Sequence, residues 1–136
     1  MPTNIYSKID EKVLLLSINR KEEISDERID ICPENKYLQV STKRLKKDIK
    51  FKPHKHNALE RNIDNTHECW IILEGSIKAS FYDLNNDLIY ETILKSGDCA
   101  VVYDSGHSME IIEDNTIIYE VKNGPYYGQQ KDKTFF

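Results

Sequence analysis

The chain has few of the features that mark secreted or membrane proteins. It has three cysteines, Cys32, Cys69 and Cys99, with no C-x-x-C spacing. An odd number of cysteines is typical of a reducing cytoplasm, where we expect these thiols to act as small buried hydrophobes. The apolar run at residues 13–16 (VLLL) is too short for a signal-peptide core or a membrane span. We therefore expect a cytoplasmic protein with no membrane partner.

The sequence also lacks an excess of positive charge. It has 23 Asp and Glu against 19 Lys and Arg, which gives a net charge of -4 at pH 7. Nucleic-acid-binding domains usually carry a basic surface, so we expect no nucleic-acid partner. The lysines within residues 43–52 are interrupted by Asp48 and favour the interpretation of a solvated strand edge.

Internal repeats, low-complexity segments and long amphipathic helices are absent from the sequence. It contains instead a series of short apolar or alternating segments, separated by turn residues such as Asn85 and Asn86. This pattern predicts an all-β sandwich or barrel, and small barrels leave a cavity at the mouth for one ligand or metal ion. The strands are predicted at residues 37–45, 49–56, 68–73, 77–82, 88–94, 99–103, 109–112 and 117–121.

The first 35 residues carry a weaker pattern than the rest of the chain. Residues 1–11 are polar and predict either a frayed segment or a short arm, whereas residues 12–18 fit either a strand or a helical turn. We expect an N-terminal arm with short strands over residues 1–35 and one β-domain with a C-terminal tail over residues 36–136. A chain of 136 residues is long enough to fold as one domain without disulfide bonds.

Residues 48–75 contain three side chains that suit a metal ion. His54 and His56 are two residues apart, so on a strand both imidazoles would point to one face. Glu68 begins the next apolar segment, and His107 belongs to a later one. Imidazoles and a carboxylate suit one divalent ion, but they do not separate iron, manganese, nickel, cobalt and zinc. The competing interpretation is an exposed histidine pair and a surface glutamate.

The same residues resemble the two motifs of the cupin superfamily. The first motif, G(X)5HXH(X)3-4E(X)6G, is similar to residues 48–75, with Asp48 at the first glycine position and a longer gap before the glutamate. The second motif, G(X)5PXG(X)2H(X)3N, is similar to residues 97–107, with Tyr103 at the proline position and one residue fewer before the histidine. The resemblance implies a cupin β-barrel, the double-stranded β-helix or jelly roll, with one divalent transition metal ion on the four residues above.

The C-terminal part of the chain resembles one particular family of cupin-fold proteins. Residues 119–126 (YEVKNGPY) and 131–135 (KDKTF) are similar to the EVKxGPY…DKxF ending of the WbuC family. These proteins are cupin-fold metalloproteins that are often associated with gene clusters for surface polysaccharides, and they have no firmly assigned reaction. The resemblance covers residues 37–135 and implies a homodimer that binds a small polar molecule such as a sugar or sugar nucleotide.

Further residues are candidates for the wall of the site. Trp70 and Ile72 share the face of the predicted glutamate ligand on a regular strand, so we expect them to line the cavity. Tyr103 and Arg61 would add a hydrogen-bond donor and an anion clamp, although an arginine in a loop also suits a solvated surface. His67 would face the opposite way and is interpreted as a surface or interface histidine.

Three functions fit these residues, and the sequence leaves open whether the protein is an enzyme. The first is a metal-dependent enzyme acting on a small polar molecule, in which the metal polarises a carbonyl or hydroxyl group or, as iron, activates O2. The second is a non-catalytic cupin that binds a small ligand or regulates a partner enzyme. The third is a metal-free sugar epimerase or isomerase, as in the related dTDP-sugar cupins, with His54 or His107 as base and Tyr103 as acid.

Overall fold

The computed structural model describes residues 1–136 and shows an all-β protein, so the predicted fold class is confirmed at this level. The strands are β1 (Thr3–Tyr6), β2 (Leu14–Asn19), β3 (Ile29–Asp30), β4 (Ser41–Thr42), β5 (Glu68–Glu74), β6 (Ser76–Tyr82), β7 (Leu88–Lys95), β8 (Cys99–Val102), β9 (Gly106–Ile111) and β10 (Ile117–Lys122). A 3-10 turn covers Lys21–Glu23, and a single helical turn, α1, covers Gln129–Asp132. Neither helical element has the length and apolar character that crossing a membrane requires.

Two antiparallel sheets form the body of the fold. The larger sheet has the strand order β1-β2-β8-β5-β10, and the smaller one has the order β7-β6-β9. The ribbon of β3 and β4 is separate, and no strand pairing joins the two main sheets into a closed barrel. Strands β6 and β7 form the hairpin that the asparagine pair predicts, with Asn86 at a φ of 71°. Asparagine tolerates this left-handed conformation better than most residues.

The core lies between the two main sheets. Trp70 and Ile72 are alternate residues of β5, and both point inward from the larger sheet. Ile77 and Phe81 of β6 meet them from the smaller sheet. The rings of Trp70 and Phe81 stack with their centroids 5.9 Å apart. Each of these large side chains stabilises the fold by about 1.5–3 kcal/mol through burial, so together they hold the sheets face to face.

A second apolar layer covers the outer face of the larger sheet. Cys69, Cys99 and Val101 point to this face because they alternate with the residues of the main core. They pack against Ile31 and Cys32 from the N-terminal part of the chain. All three cysteines are free and buried, which is the environment expected of thiols that serve as small hydrophobes.

The N-terminal residues contribute two strands to the larger sheet. Strand β2 is buried along its whole length and pairs with β8, so the strand alternative for this segment is confirmed. Within residues 1–11, β1 pairs with β2, so the alternative of a frayed segment is wrong there and the alternative of a short arm stands. Ile5 packs against the core, and the Ser17 hydroxyl donates to Asn4 Oδ1 at 2.7 Å. These contacts order a segment that is polar in sequence.

Two predicted strands around the segment between β4 and β5 are wrong in length or absent. Only Ser41–Thr42 pairs within residues 37–45, and no strand forms at residues 49–56. Every residue from 43 to 64 is exposed. The few apolar residues here alternate with lysines, and Pro53 has no backbone N–H for a strand ladder. The segment therefore buries too little apolar surface to compete for a place in either sheet.

Candidate functional site

Glu68 and His107 meet between the two main sheets. Glu68 is the first residue of β5, and His107 is the second residue of β9 in the opposite sheet. Glu68 Oε2 lies 3.4 Å from His107 Nε2. The other oxygen, Oε1, accepts a hydrogen bond of 2.6 Å from Trp70 Nε1–H. The predicted shared face of Glu68 and Trp70 is therefore confirmed, and the carboxylate is fixed between an indole and an imidazole.

The position of His107 follows from the pairing of β9 with β6. His107 lies opposite Phe81, so its ring points into the space between the sheets and meets Trp70 edge-on at 5.2 Å. His107 Nδ1 lies 3.2 Å from the Ser105 carbonyl oxygen. Burial lowers the pKa of His107, but the carboxylate of Glu68 and the Ser105 carbonyl raise it more, so its pKa lies above the ordinary value. Both acceptors can be satisfied only when each ring nitrogen carries a hydrogen, so these contacts favour the cationic ring.

Glu120 completes the acidic side of the site. It is not among the site residues that the sequence predicts. Strand β10 pairs with β5 so that Glu120 lies opposite Trp70, on the same face as Glu68. Burial raises the pKa of Glu68, but hydrogen bonds with His107, Glu120 and Trp70 lower it to below its ordinary value. The contact with Glu68 raises the pKa of Glu120. Two neighbouring carboxyl groups do not both ionise readily, so when the pair holds one proton, that proton lies on Glu120.

A cavity of about 570 Å³ opens beside these three side chains. Its size is within the range of about 300–1,000 Å³ that is usual for small-molecule sites. Trp70 also lines it. The wall combines polar side chains with aromatic rings, among them Thr66, Ser108, Asp132, Lys133, Tyr82 and Phe136.

The C-terminal tail forms one side of this cavity. The ring of Phe136 meets Tyr82 edge-on, with the centroids 5.1 Å apart. Phe136 also lies so close to Gly106 that a Cβ there would be 2.7 Å from Phe136 Cζ. The Thr66 hydroxyl donates to Asp132 Oδ1 at 3.2 Å. A molecule in the cavity would therefore touch both the sheets and the tail.

The structure does not bring the histidine pair together with Glu68 and His107 as a metal centre. His54 and His56 are exposed in the segment without strands, with their rings 5.7 Å apart. His54 Nδ1 lies 2.8 Å from the carbonyl oxygen of Lys52. No group of three or more His, Cys, Asp or Glu side chains is arranged to hold a metal ion. In this arrangement the four predicted ligands do not fit a metal centre, because the strand expected to aim the pair inward is missing.

Three of the predicted wall residues lie away from the cavity. Ile72 is buried deeper in the core. Tyr103 comes directly after β8 and two residues after Val101, so both side chains pack on the outer face of the larger sheet. There the Tyr103 hydroxyl donates to Ser17 Oγ at 3.2 Å. Arg61 is exposed in the segment without strands. Tyr103 is therefore not placed to act as an acid with a base inside the cavity.

His67 is buried, so its interpretation as a surface histidine is wrong. Its ring stacks on Tyr37 with centroids 4.9 Å apart and meets Tyr103 edge-on at 5.3 Å. These contacts confirm that it faces away from the cavity. Burial, followed by the positive charge of Lys36, lowers the pKa of His67. The ring is therefore neutral near pH 7.

Local sequence pattern contains a signal for one further site residue, Glu120. Glu120 follows Ile118 by two residues, so a carboxyl group occupies an inward position of β10. No comparable local pattern marks Phe136, because tail residues reach a cavity only through tertiary structure.

Comparisons of the chain with protein families, with curated proteins and with solved structures find no match. The resemblance to cupins and to the WbuC ending therefore stays a prediction. The chemistry of the site follows from its own geometry.

Proposed function

We propose that the cavity beside Glu68 and His107 binds a small polar ligand such as a sugar or a sugar nucleotide. One observation carries this proposal: a carboxylate and an imidazole from opposite sheets meet at a cavity of about 570 Å³. Sugar hydroxyl groups both donate and accept hydrogen bonds, and the site offers both functions. The Glu68 carboxylate accepts, while the Lys133 ammonium and the Ser108 hydroxyl, which also line the cavity, donate.

The aromatic side chains support a ring-shaped ligand. Tyr82 and Phe136 line the cavity near the polar groups. A sugar ring has an apolar C–H face that packs on such rings, while its hydroxyl groups reach the polar wall. We propose a cupin-type jelly roll as the underlying fold and a role in surface-polysaccharide metabolism. The two antiparallel sheets with a site between them support the first part, and the motif resemblance supports the second.

A second candidate is a metal-dependent cupin with one ion of iron, manganese, nickel, cobalt or zinc. The contact between Glu68 and His107 favours it, because two of the four predicted ligands lie side by side. The exposed positions of His54 and His56 do not support it. Ligand recognition by the groups described above does not depend on an ion.

Saturation-transfer NMR with a panel of neutral sugars, amino sugars and nucleotide sugars tests the proposed ligand site. We expect at least one class to bind the wild type and to bind Glu68→Gln at least about tenfold more weakly, the loss expected for a buried hydrogen bond to a charge. The matched control is Glu110→Gln, because Glu110 is an exposed carboxylate on β9. Equal binding to wild type and Glu68→Gln, or no binding by any class, would contradict the proposal.

A further inference from the structure

A strongly basic loop stands out on this acidic protein. We define the basic loop as residues 43–55 (KRLKKDIKFKPHK), which contain seven Lys and Arg and one Asp. The loop therefore carries a net charge of +6, and since the whole chain carries -4, the remaining residues carry -10. The positive charge is thus concentrated in the basic loop, and the rest of the chain is strongly acidic.

The charges of the basic loop are not used inside the fold. None of its seven basic side chains forms an ion pair with a carboxylate, although Arg20, Lys78 and Lys122 elsewhere all do. Every residue of the loop is exposed. Only Arg44 is tied to the fold, through hydrogen bonds to the carbonyl oxygens of Ile24 and Ser25. The loop is thus anchored at its start and presents unneutralised charge to its surroundings.

Large apolar side chains are interleaved with these charges. Leu45, Ile49 and Phe51 are 53%, 55% and 62% exposed. A turn at Asp48, which has a φ of 69°, reverses the chain between them. The reversal brings the Lys43 ammonium over the Phe51 ring, 5.1 Å from its centroid. Apolar and cationic groups therefore lie together on one exposed turn.

We propose that the basic loop binds the surface of an anionic phospholipid membrane. Lysines near such a surface are attracted by its negative potential, and their long apolar stems let the charge stay at the headgroups. Leucine, isoleucine and phenylalanine side chains enter the boundary between headgroups and acyl chains. The loop offers both kinds of group on one turn, which matches this layered surface.

Two other partners fit the loop less well. Nucleic acid would also attract a basic segment, and a base would stack on Phe51, but phosphate and base contacts leave the aliphatic Leu45 and Ile49 exposed. A folded protein partner usually meets a preformed surface of complementary shape, whereas the basic loop has no regular secondary structure. The expectation of no membrane partner came from the lack of a spanning segment, which does not bear on binding at the surface.

Vesicle co-sedimentation of the full chain tests the proposal. The two vesicle types are phosphatidylcholine alone and equal parts of phosphatidylcholine and phosphatidylglycerol, each at low and at high salt. We expect binding to the anionic vesicles only, and weaker binding at high salt because salt screens exposed charges. The double variant Lys46→Glu/Lys50→Glu should lower the partition coefficient at least about tenfold, since each lysine near an anionic surface contributes on the order of fivefold.

The apolar contribution is tested by Phe51→Ser, which should weaken binding to anionic vesicles severalfold at unchanged charge. Matched controls are Lys12→Glu/Lys95→Glu for the charge and Leu88→Ser for the apolar group, because all three residues are exposed outside the loop. Both controls should bind as the wild type does. Circular dichroism melts should be the same for all variants, since the substituted side chains contribute little to the core.

Three results would overturn the proposal. The first is equal sedimentation with both vesicle types, or with neither. The second is wild-type binding by Phe51→Ser, which would reduce the contact to non-specific attraction of charge. The third is tight binding of single-stranded RNA by the wild type, lost in Lys46→Glu/Lys50→Glu, without binding to vesicles. None of these results affects the proposed ligand site, whose residues lie outside the basic loop.

Discussion

Glu120 lies directly opposite Trp70 in the β5–β10 pair, and this register sets its carboxyl group against Glu68. Trp70 and Glu120 thus approach the same carboxylate, Trp70 as an indole donor and Glu120 as a second carboxyl group whose pKa the contact raises. The acidic side of the cavity is a product of strand pairing between residues about fifty positions apart in the chain.

The hydrogen bond between Glu120 and Glu68 predicts that one substitution of Glu120 raises the pKa of Glu68 and another leaves it low. Glu120→Ala removes a donor to the Glu68 carboxylate, so the pKa of Glu68 should rise toward its ordinary value. Glu120→Gln keeps a donor in the amide group, so the pKa of Glu68 should stay low. Titration of the side-chain carboxyl carbon of Glu68 by NMR measures both. The same pKa of Glu68 in the two variants would contradict this contact.

The indole hydrogen bond predicts a loss of stability in Trp70→Phe. The substitution leaves the buried Glu68 carboxylate without its indole donor, which costs about 1–3 kcal/mol of unfolding free energy. Because Trp70 is the only tryptophan, urea unfolding has to be followed by circular dichroism. The same substitution in a Glu68→Gln background is the control. It should cost less there, and an equal cost in both backgrounds would show that packing alone explains the loss.

The burial of His67 predicts that stability falls in mild acid. The pKa of His67 is lowered in the folded protein from its ordinary value of 6.5, so the unfolded chain binds this proton more tightly. The contribution of His67 to stability is therefore complete above pH 6.5 and decreases as the pH falls below it. His67→Phe keeps an aromatic ring between Tyr37 and Tyr103 without a titrating group. Urea unfolding at pH 5 and pH 7.5 should show a smaller difference for the variant than for the wild type.

The position of Phe136 at the cavity predicts that its removal weakens ligand binding but hardly changes the stability of the fold. Phe136 is 66% exposed, so Phe136→Ala should change the unfolding free energy by no more than about 0.5 kcal/mol. It should nevertheless weaken ligand binding severalfold, because the ring lines the cavity beside Tyr82. Tyr127→Ala is the control, since Tyr127 is similarly exposed in the tail and does not line the cavity. Unchanged ligand affinity in Phe136→Ala would remove the tail from the site.

Metal analysis separates the two candidate functions. The metal-dependent candidate predicts one divalent ion per chain by elemental mass spectrometry, lost in both His107→Ala and His56→Ala. The arrangement described here predicts that His56→Ala has no effect on metal content, because the ring is exposed in the segment without strands. Protein purified without chelator or an affinity-column metal is required. Loss of a bound ion in His56→Ala would show that residues 49–56 join the site.

Local pattern in the sequence determined the strands of the second half of the chain. Alternating apolar residues between turn formers mark β5 to β10, because side chains of a strand point alternately to its two faces. The same rule correctly predicted that Glu68 and Trp70 share one face of β5 and that the neighbouring His67 points to the other face. It fails at residues 49–56, where alternation with lysine provides no apolar face to bury.

Only the tertiary structure decided which residues share the site. Alternation gives the face of each side chain but not the partner or the register of its strand, and register depends on long-range packing. The pairing of β10 with β5 brought Glu120 to Glu68, and the stacking of two sheets brought His107 to the same carboxylate. The tail reached the cavity because Phe136 packs on Tyr82, a contact between residues more than fifty positions apart in the sequence.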